Sequence, residues 1–150
     1  MSAAKLLPEV KFRIVGTGPL ESELKARAKD ENLVNVEFLG YQAWAELEKL
    51  IEGSKLVVLP SLWYENCPLS AIEAAGRGRV VLASNRGGFK EIVPGEMLFD
   101  PDDIQAMADK IKFWLSMDAE KRKQARQALF NHVKNNYNAD LYWPELIKAY

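Results

Sequence analysis

Leu56-Val57-Val58-Leu59-Pro60 is the most continuous apolar run in this chain of 150 residues. A short aliphatic run closed by a proline is typical of a strand that is buried on both faces of a parallel sheet. We therefore expect a central strand here. The loop that follows it, residues 61–67, is then expected at the carboxyl end of that sheet.

Strand and helix signals alternate on both sides of this run. Strands are predicted at 10–15, 34–39, 80–83 and 97–99, and helices at 1–7, 19–30, 43–51, 68–76 and 104–115, with one turn at 89–93 and two further helices after 115. This alternation with short connections predicts an α/β fold, namely a Rossmann-like parallel sheet with helices on both faces and a helical C-terminal tail.

The composition excludes several classes of protein. With 48% apolar and 27% charged residues, the chain is neither disordered nor collagen-like. Twenty basic and 21 acidic residues give a formal charge of −1, so no overall field attracts nucleic acid. Cys67 is the only cysteine and cannot form an internal disulfide. No apolar run approaches the roughly 20 residues of a transmembrane helix, and the sequence predicts a cytoplasmic protein.

Ligands of parallel sheets bind beyond the carboxyl ends of the strands, so the strand-to-helix turns are the segments of interest. The first of them, Gly16-Thr17-Gly18-Pro19, has two glycines of a dinucleotide fingerprint, but Glu21 stands where the third would be. The turn either lets a ligand approach the backbone closely or is a plain tight turn.

The loop after the central strand carries more chemistry. Pro68 begins a helix, which leaves the amides of Leu69 and Ser70 free to bind a phosphate or diphosphate. Glu73, one turn into this helix, can accept hydrogen bonds from sugar hydroxyls, and Glu65 can reach the other end of such a ligand. Two acceptors beside a diphosphate cradle indicate a nucleotide-sugar site rather than a metal site, and we expect no metal and no cofactor.

Other interpretations of this loop stay open at this point. Glu65 and Glu73 could be the acid and base of a glycosidase. Cys67 could be a nucleophile, although the only histidine, His132, lies far along the chain. Trp63 and Tyr64 either stack on a sugar or pack beneath the loop.

Several short motifs occur in a fixed order along the chain. They are Val15-Gly16-x-Gly18-Pro19-Leu20, Val36-x-Phe38-x-Gly40, Leu59-Pro60-Ser61, Trp63-Tyr64, Glu65-x7-Glu73, Ala83-Ser84 and Gly87-Gly88-x-x-Glu91. In this order, residues 10–99 resemble the C-terminal domain of GT-B fold retaining glycosyltransferases of family four. The family's usual proline before the next strand's two valines is replaced by Val80, a departure that concerns packing more than binding.

The resemblance implies roles for particular residues. Glu65, the catalytic candidate, would touch hydroxyls of the transferred hexose, and Glu73 would hold the ribose. The backbone would bind the rest of the donor, a nucleoside diphosphate sugar. The hexose and diphosphate would lie on Asn66, Cys67, Pro68, Leu69 and Ser70, and the base beside Leu39, Gly40 and Tyr41, with Gly16 and Gly18 leaving room.

The resemblance also implies missing parts. Residues 1–150 would form a single nucleotide-sugar-binding domain that lacks the acceptor-binding N-terminal domain and the first strand of its own sheet. That strand would lie between residues 10–15 and 56–60, and these two strands would either pair with each other or accept a segment of a second copy, giving a homodimer. We expect the donor-binding part of a hexosyltransferase that acts with retention and is inactive as an isolated domain. The alternative is a non-catalytic nucleotide or nucleotide-sugar binding module.

Overall fold

The computed structural model describes residues 1–138 and Asp140, and in this part of the chain strands and helices alternate as expected. The strands are β1 Phe12–Val15, β2 Val36–Gly40, β3 Leu56–Leu59, β4 Val80–Ser84 and β5 Leu98–Phe99. The helices are α1 Ser2–Leu6, α2 Glu21–Asp30, α3 Trp44–Glu52, α4 Leu69–Gly76, α5 Phe89–Ile92, α6 Ile104–Ser116 and α7 Ala119–Asn136. Of the two helices expected after α6, one is α7 and the other lies outside the described residues.

All strand pairs are parallel, but the strands form two sheets rather than one. β1 pairs with β2, and β3, β4 and β5 form a second sheet in that order. The expectation that β1 and β3 pair with each other is therefore wrong for the described residues. In the part of the chain that the structure describes, β1 pairs only with β2 and β3 pairs only with β4.

The core surrounds β4 rather than β3. All five residues of β4 are fully buried, in a core cluster that includes Ala71 and Ala74 of α4, Ile111 and Trp114 of α6 and Leu129 and Val133 of α7. The prediction that β3 is buried on both faces is wrong, because its four residues are only half-buried. The physical reason is its open edge, where no neighbouring strand excludes water. Burial of each large aliphatic or phenyl side chain in this core, such as Leu82 of β4, contributes roughly 1.5–3 kcal/mol.

The N-terminal helix α1 is fixed by one polar side chain. The side-chain amide nitrogen of Asn35, Nδ2, lies 3.0, 2.9 and 3.0 Å from the carbonyl oxygens of Ala4, Leu7 and Val10. Leu7 is itself buried in the core. Asn35 therefore connects α1 and its following turn to the start of β2.

Helix α2 differs from its expected form in two ways. It begins at Glu21 rather than Pro19, because residues 18–21 form a turn in which the amide of Glu21 donates a hydrogen bond of 3.1 Å to the carbonyl of Gly18. The expected stripe is only half-buried at Leu24 and Ala28, and Leu20 is exposed. A helix that covers a sheet of two strands finds little apolar area to bury itself against. Among the described helices, none has the length and apolar character that crossing a membrane requires.

Candidate active site

The candidate site begins where β3 and β4 end side by side. Ser84, the fully buried last residue of β4, donates a hydrogen bond of 3.3 Å from its hydroxyl to the carbonyl of Leu59. The chain then turns at Pro60 and runs as a loop to the buried Pro68, where α4 begins. Proline at this position is compatible with a helix start because its missing N–H has no helical partner there. The loop therefore lies at the carboxyl end of the β3–β5 sheet, as the sequence predicted.

The start of α4 presents a row of free backbone donors. Among the described residues, none accepts a hydrogen bond from the amides of Asn66, Cys67, Leu69 or Ser70. The first amides of the helix that are bonded belong to Ala71 and Ile72, which donate to the carbonyl of Pro68 at 2.9 and 3.4 Å. Free amides and the positive end of the helix dipole together favour an anion in front of α4.

The two glutamates lie on either side of this row along the chain. Glu65 is half-buried, and its Oε1 accepts a hydrogen bond of 3.2 Å from the hydroxyl of Ser61. Glu73 is half-buried on α4, and its carboxylate accepts no hydrogen bond from a described residue. Both carboxylates keep acceptor capacity for the hydroxyls of a ligand.

The turn after β4 supports the Glu65 segment from below. The amide of Gly88 donates to the carbonyl of Glu65 at 2.6 Å. A Cβ atom at Gly88 would overlap with the carbonyl oxygen of Asn66, and one at Gly87 would overlap with that of Glu65. Only glycines allow the two segments to lie this close.

Arg86 holds the same loop from its side. Its Nη1 donates to the carbonyl of Leu62 at 2.9 Å, and its Nη2 forms an ion pair with Asp102, just before α6. The guanidinium carbon lies 5.9 Å from the centre of the Tyr64 ring. Sequence reasoning missed Ser61, Arg86 and Asp102. The neighbouring glycine pair was a signal for Arg86, whereas no local pattern indicates the pairing with Asp102.

The other predicted binding residues form a second group at the ends of β1 and β2. The amide of Gly16 donates to the carbonyl of Gly40 at 2.8 Å, and both glycines have positive φ angles, of 115° and 64°. A Cβ atom at Gly16, Gly18 or Gly40 would meet open space. Leu39 is half-buried and accepts a hydrogen bond of 2.6 Å from Gln42, and Tyr41 is exposed.

The structure thus brings the predicted residues together in two groups, one at each sheet. Leu39, Gly40 and Tyr41 join Gly16 and Gly18 in one group, and residues 65–70 join Glu73 in the other. No hydrogen bond among the described residues connects the two groups.

The open alternatives from the sequence fare differently. Trp63 and Tyr64 are 81% and 76% exposed, so they do not pack beneath the loop. No described hydrogen bond joins Cys67 to His132, whose Nε2 instead lies 3.0 Å from the carbonyl oxygen of Glu91. In the described residues, no three His, Cys, Asp or Glu side chains are grouped closely enough to hold a metal ion.

A groove of about 450 Å³ lies away from this site, between the C-terminal end of α4 and α7. Arg126 and Arg77 line it, but they donate to the carbonyls of Gly78 at 2.6 Å and Glu73 at 3.2 Å. Basic side chains at a helix C-terminus stabilise its unpaired carbonyls. These hydrogen bonds explain why the two arginines lie here, and no bound ligand is needed to explain them.

Comparison with known proteins gives the fold and site a family. The family model described as glycosyl transferases group 1 matches residues 1–131, and the chain belongs to this family. Glycogen synthase of Mycobacterium tuberculosis is 27% identical over 146 residues, which are 95% of this chain and 34% of the relative. The chain therefore spans about a third of that relative's length.

Solved structures show the same fold. Anabaena HepE in complex with UDP-glucose has a TM-score of 0.86 at 20% identity, with 99% of this chain and 43% of that chain covered. A Staphylococcus aureus TarM mutant in complex with fondaparinux, alpha-GlcNAc-glycerol and UDP has a TM-score of 0.84 at 25% identity, covering 98% and 31%. These likenesses confirm the Rossmann-like α/β fold of one half of a GT-B glycosyltransferase, so this chain is a glycosyltransferase domain.

Proposed function

We propose that this domain binds the nucleoside diphosphate sugar from which a hexosyltransferase transfers the hexose with retention. The observation that carries the proposal is the group of free amides at the start of α4, which belong to Asn66, Cys67, Leu69 and Ser70. A diphosphate is the part of the donor that such amides bind best. HepE, which shares the fold, was solved with UDP-glucose, and this supports a donor of that class.

The two glutamates then divide the donor between them. Glu73 lies within the first turns of α4, beside the amides proposed for the diphosphate, and would accept hydrogen bonds from ribose hydroxyls. Glu65, held by Ser61, would accept them from the hexose and is the catalytic candidate. The base would lie against Leu39, Gly40 and Tyr41, where Gly16 and Gly18 leave open space.

A titration with UDP, GDP, ADP and UDP-glucose tests this proposal. The domain is expected to bind at least one of the diphosphates, and a ligand at 100 times its Kd stabilises the folded state by about 2.7 kcal/mol. Glu73→Gln should weaken binding of UDP and UDP-glucose alike, whereas Glu65→Gln should weaken only UDP-glucose. Glu96→Gln, at an exposed glutamate whose side chain makes no described hydrogen bond, is the matched control. Equal effects of all three substitutions would contradict the assignment.

We further propose that the isolated chain binds donor but transfers hexose weakly or not at all. Negative charge develops on the leaving diphosphate, and a cation beside it would stabilise the transition state beyond what the amides of α4 provide. Arg86 is a cation beside the loop, but its guanidinium is bonded to Asp102 and Leu62. This observation also favours the second candidate function, a non-catalytic binding module. Normal turnover of a nucleotide sugar by the isolated chain would contradict both statements.

The open edges of β1 and β3 support a proposal about partners. We propose that a further strand joins the two sheets, supplied by a second copy when the chain is alone, since exposed sheet edges pair readily. Light scattering should then give the mass of a dimer, and a strict monomer would contradict the proposal.

In a larger enzyme, an acceptor-binding domain would face the carboxyl ends of the strands, where the donor is proposed to bind. The proposal includes a cytoplasmic location, with which a free and exposed Cys67 is consistent.

A further inference from the structure

The turn between β4 and α5 contacts the backbone of the candidate loop at residues 64–66. The amide of Gly88 donates to the carbonyl of Glu65 at 2.6 Å, and neither Gly87 nor Gly88 leaves space for a side chain. Gly87 also has a φ angle of 53°, which favours glycine independently. These contacts fix the distance between the Glu65 backbone and the turn that follows β4.

Arg86 adds a lateral restraint to the same loop. It donates to the carbonyl of Leu62 at 2.9 Å and is itself held by the carboxylate of Asp102. Asp102 is in turn anchored, because its amide donates to the side chain of Asp100 at 3.0 Å. A chain of polar contacts therefore runs from the segment before α6 to the loop.

Few other contacts among the described residues restrain the loop. Leu62, Trp63 and Tyr64 are exposed and contribute no core packing. The side-chain contact of Glu65 within the loop is the one with Ser61. Each residue that is free to move loses about 1–2 kcal/mol of conformational entropy when it becomes fixed, so an unrestrained loop would weaken binding at Glu65.

We propose that Arg86, Gly87 and Gly88 are positioning residues for Glu65, and that they determine how strongly the site prefers a nucleotide sugar to the bare nucleotide. This inference rests on the proposed function, in which Glu65 contacts the hexose. The three residues act through the loop backbone and do not touch the donor. Their loss should therefore cost more affinity at the hexose end of the ligand than at the nucleotide end, where only the contact of Gly88 with Asn66 reaches the amides proposed for the diphosphate.

The affinities of UDP-glucose and UDP in four proteins test the inference. These are the wild type, Arg86→Gln, Gly88→Ala and the control Gly95→Ala, at a glycine where an added Cβ meets open space. Arg86→Gln and Gly88→Ala should lower the ratio of UDP-glucose affinity to UDP affinity by about five- to tenfold. Gly95→Ala should leave the ratio unchanged. An unchanged ratio in both loop variants would overturn the inference.

A second readout needs no ligand. The exchange rate of the residue 88 amide reports its bond to Glu65 directly. Arg86→Gln should speed this exchange, while the amide of Val93, bonded to Phe89 within the next segment, stays unchanged. Unchanged exchange at residue 88 would show that Arg86 does not restrain the loop and would overturn the inference. Failure of the wild type to bind either nucleotide would instead contradict the proposed function, and the inference with it.

Discussion

The hydroxyl of Ser84 donates a hydrogen bond of 3.3 Å to the carbonyl of Leu59, which joins the last residues of two parallel strands. Both strands then turn into segments that contact each other, one through Glu65 and the other through Gly88. The buried hydroxyl therefore supports the candidate site structurally, because it fixes the spacing of the two segments where they leave the sheet.

Ser84→Ala should destabilise the protein by about 1 kcal/mol, because a buried hydrogen bond is lost and the carbonyl of Leu59 loses a donor. Urea unfolding followed by tryptophan fluorescence measures the change. Ser116→Ala is the control, since its hydroxyl bonds to the carbonyl of Phe113 at an exposed position. Equal effects of the two substitutions would show that the Ser84 bond contributes nothing specific.

Asn35→Ala should destabilise the protein more, by about 2 kcal/mol, because three carbonyls of α1 and the turn after it share its side-chain amide group. The same unfolding measurement applies. Asn131→Ala removes an exposed side-chain amide whose one hydrogen bond to a described residue is with Gln127, and it should change stability by less than about 0.5 kcal/mol. A small effect at Asn35 would mean that α1 is held by its buried apolar side chains alone.

Two neighbouring glycines should respond to alanine in opposite directions. Gly78 has a φ angle of 64°, so Gly78→Ala should destabilise the protein by about 1 kcal/mol through backbone strain. Gly76 ends α4 in ordinary helical geometry with open space around it, and Gly76→Ala should stabilise the protein by up to about 1 kcal/mol. Melting temperatures of the two variants compare them directly, and a shift of the same sign in both would contradict this account.

Acid should weaken the N-terminal half of the fold through two glutamates. Hydrogen bonds from Arg27 and Lys5 hold the pKa of Glu31 below its usual value of 4.5, and Lys11 does the same to the pKa of Glu37. A carboxyl group whose pKa is lower in the folded state stabilises the fold at any pH above the pKa of the unfolded state. This stabilisation is lost as the pH falls through the pKa of the folded state. The urea concentration at the midpoint of unfolding should therefore decrease as the pH is lowered from about 5 to about 3. The decrease should be less steep in the double variant Glu31→Gln, Glu37→Gln. Equal slopes in variant and wild type would show that these ion pairs are unimportant.

Local sequence patterns predicted the elements of the fold but not the division of the sheet. The run Leu56–Leu59 indicates a strand, yet periodicity cannot show whether a neighbour covers its edge. For this reason the burial expected at β3 is found at β4 instead. The start of α2 was misplaced by two residues because the turn at Gly18 competes with the helical position that proline favours.

The candidate site was predictable where its chemistry is local in sequence. Pro68 and the amides after it follow from the start of a helix, and Glu65 and Glu73 follow from their spacing along the loop and α4. The restraint on Glu65 was not predictable, because Arg86 and Asp102 are brought together by the pairing of β4 with β5, which the two residues follow. Contacts between segments that are distant in sequence require the folded chain.

The most direct test of the central claim is an amide-resolved NMR titration of the ¹⁵N-labelled domain with UDP. The account predicts that the largest shifts occur at the amides of Asn66, Cys67, Leu69 and Ser70, with smaller ones at Gly16 and Gly40. A lack of shifts at saturating UDP, or shifts confined to the groove beside Arg126, would contradict it.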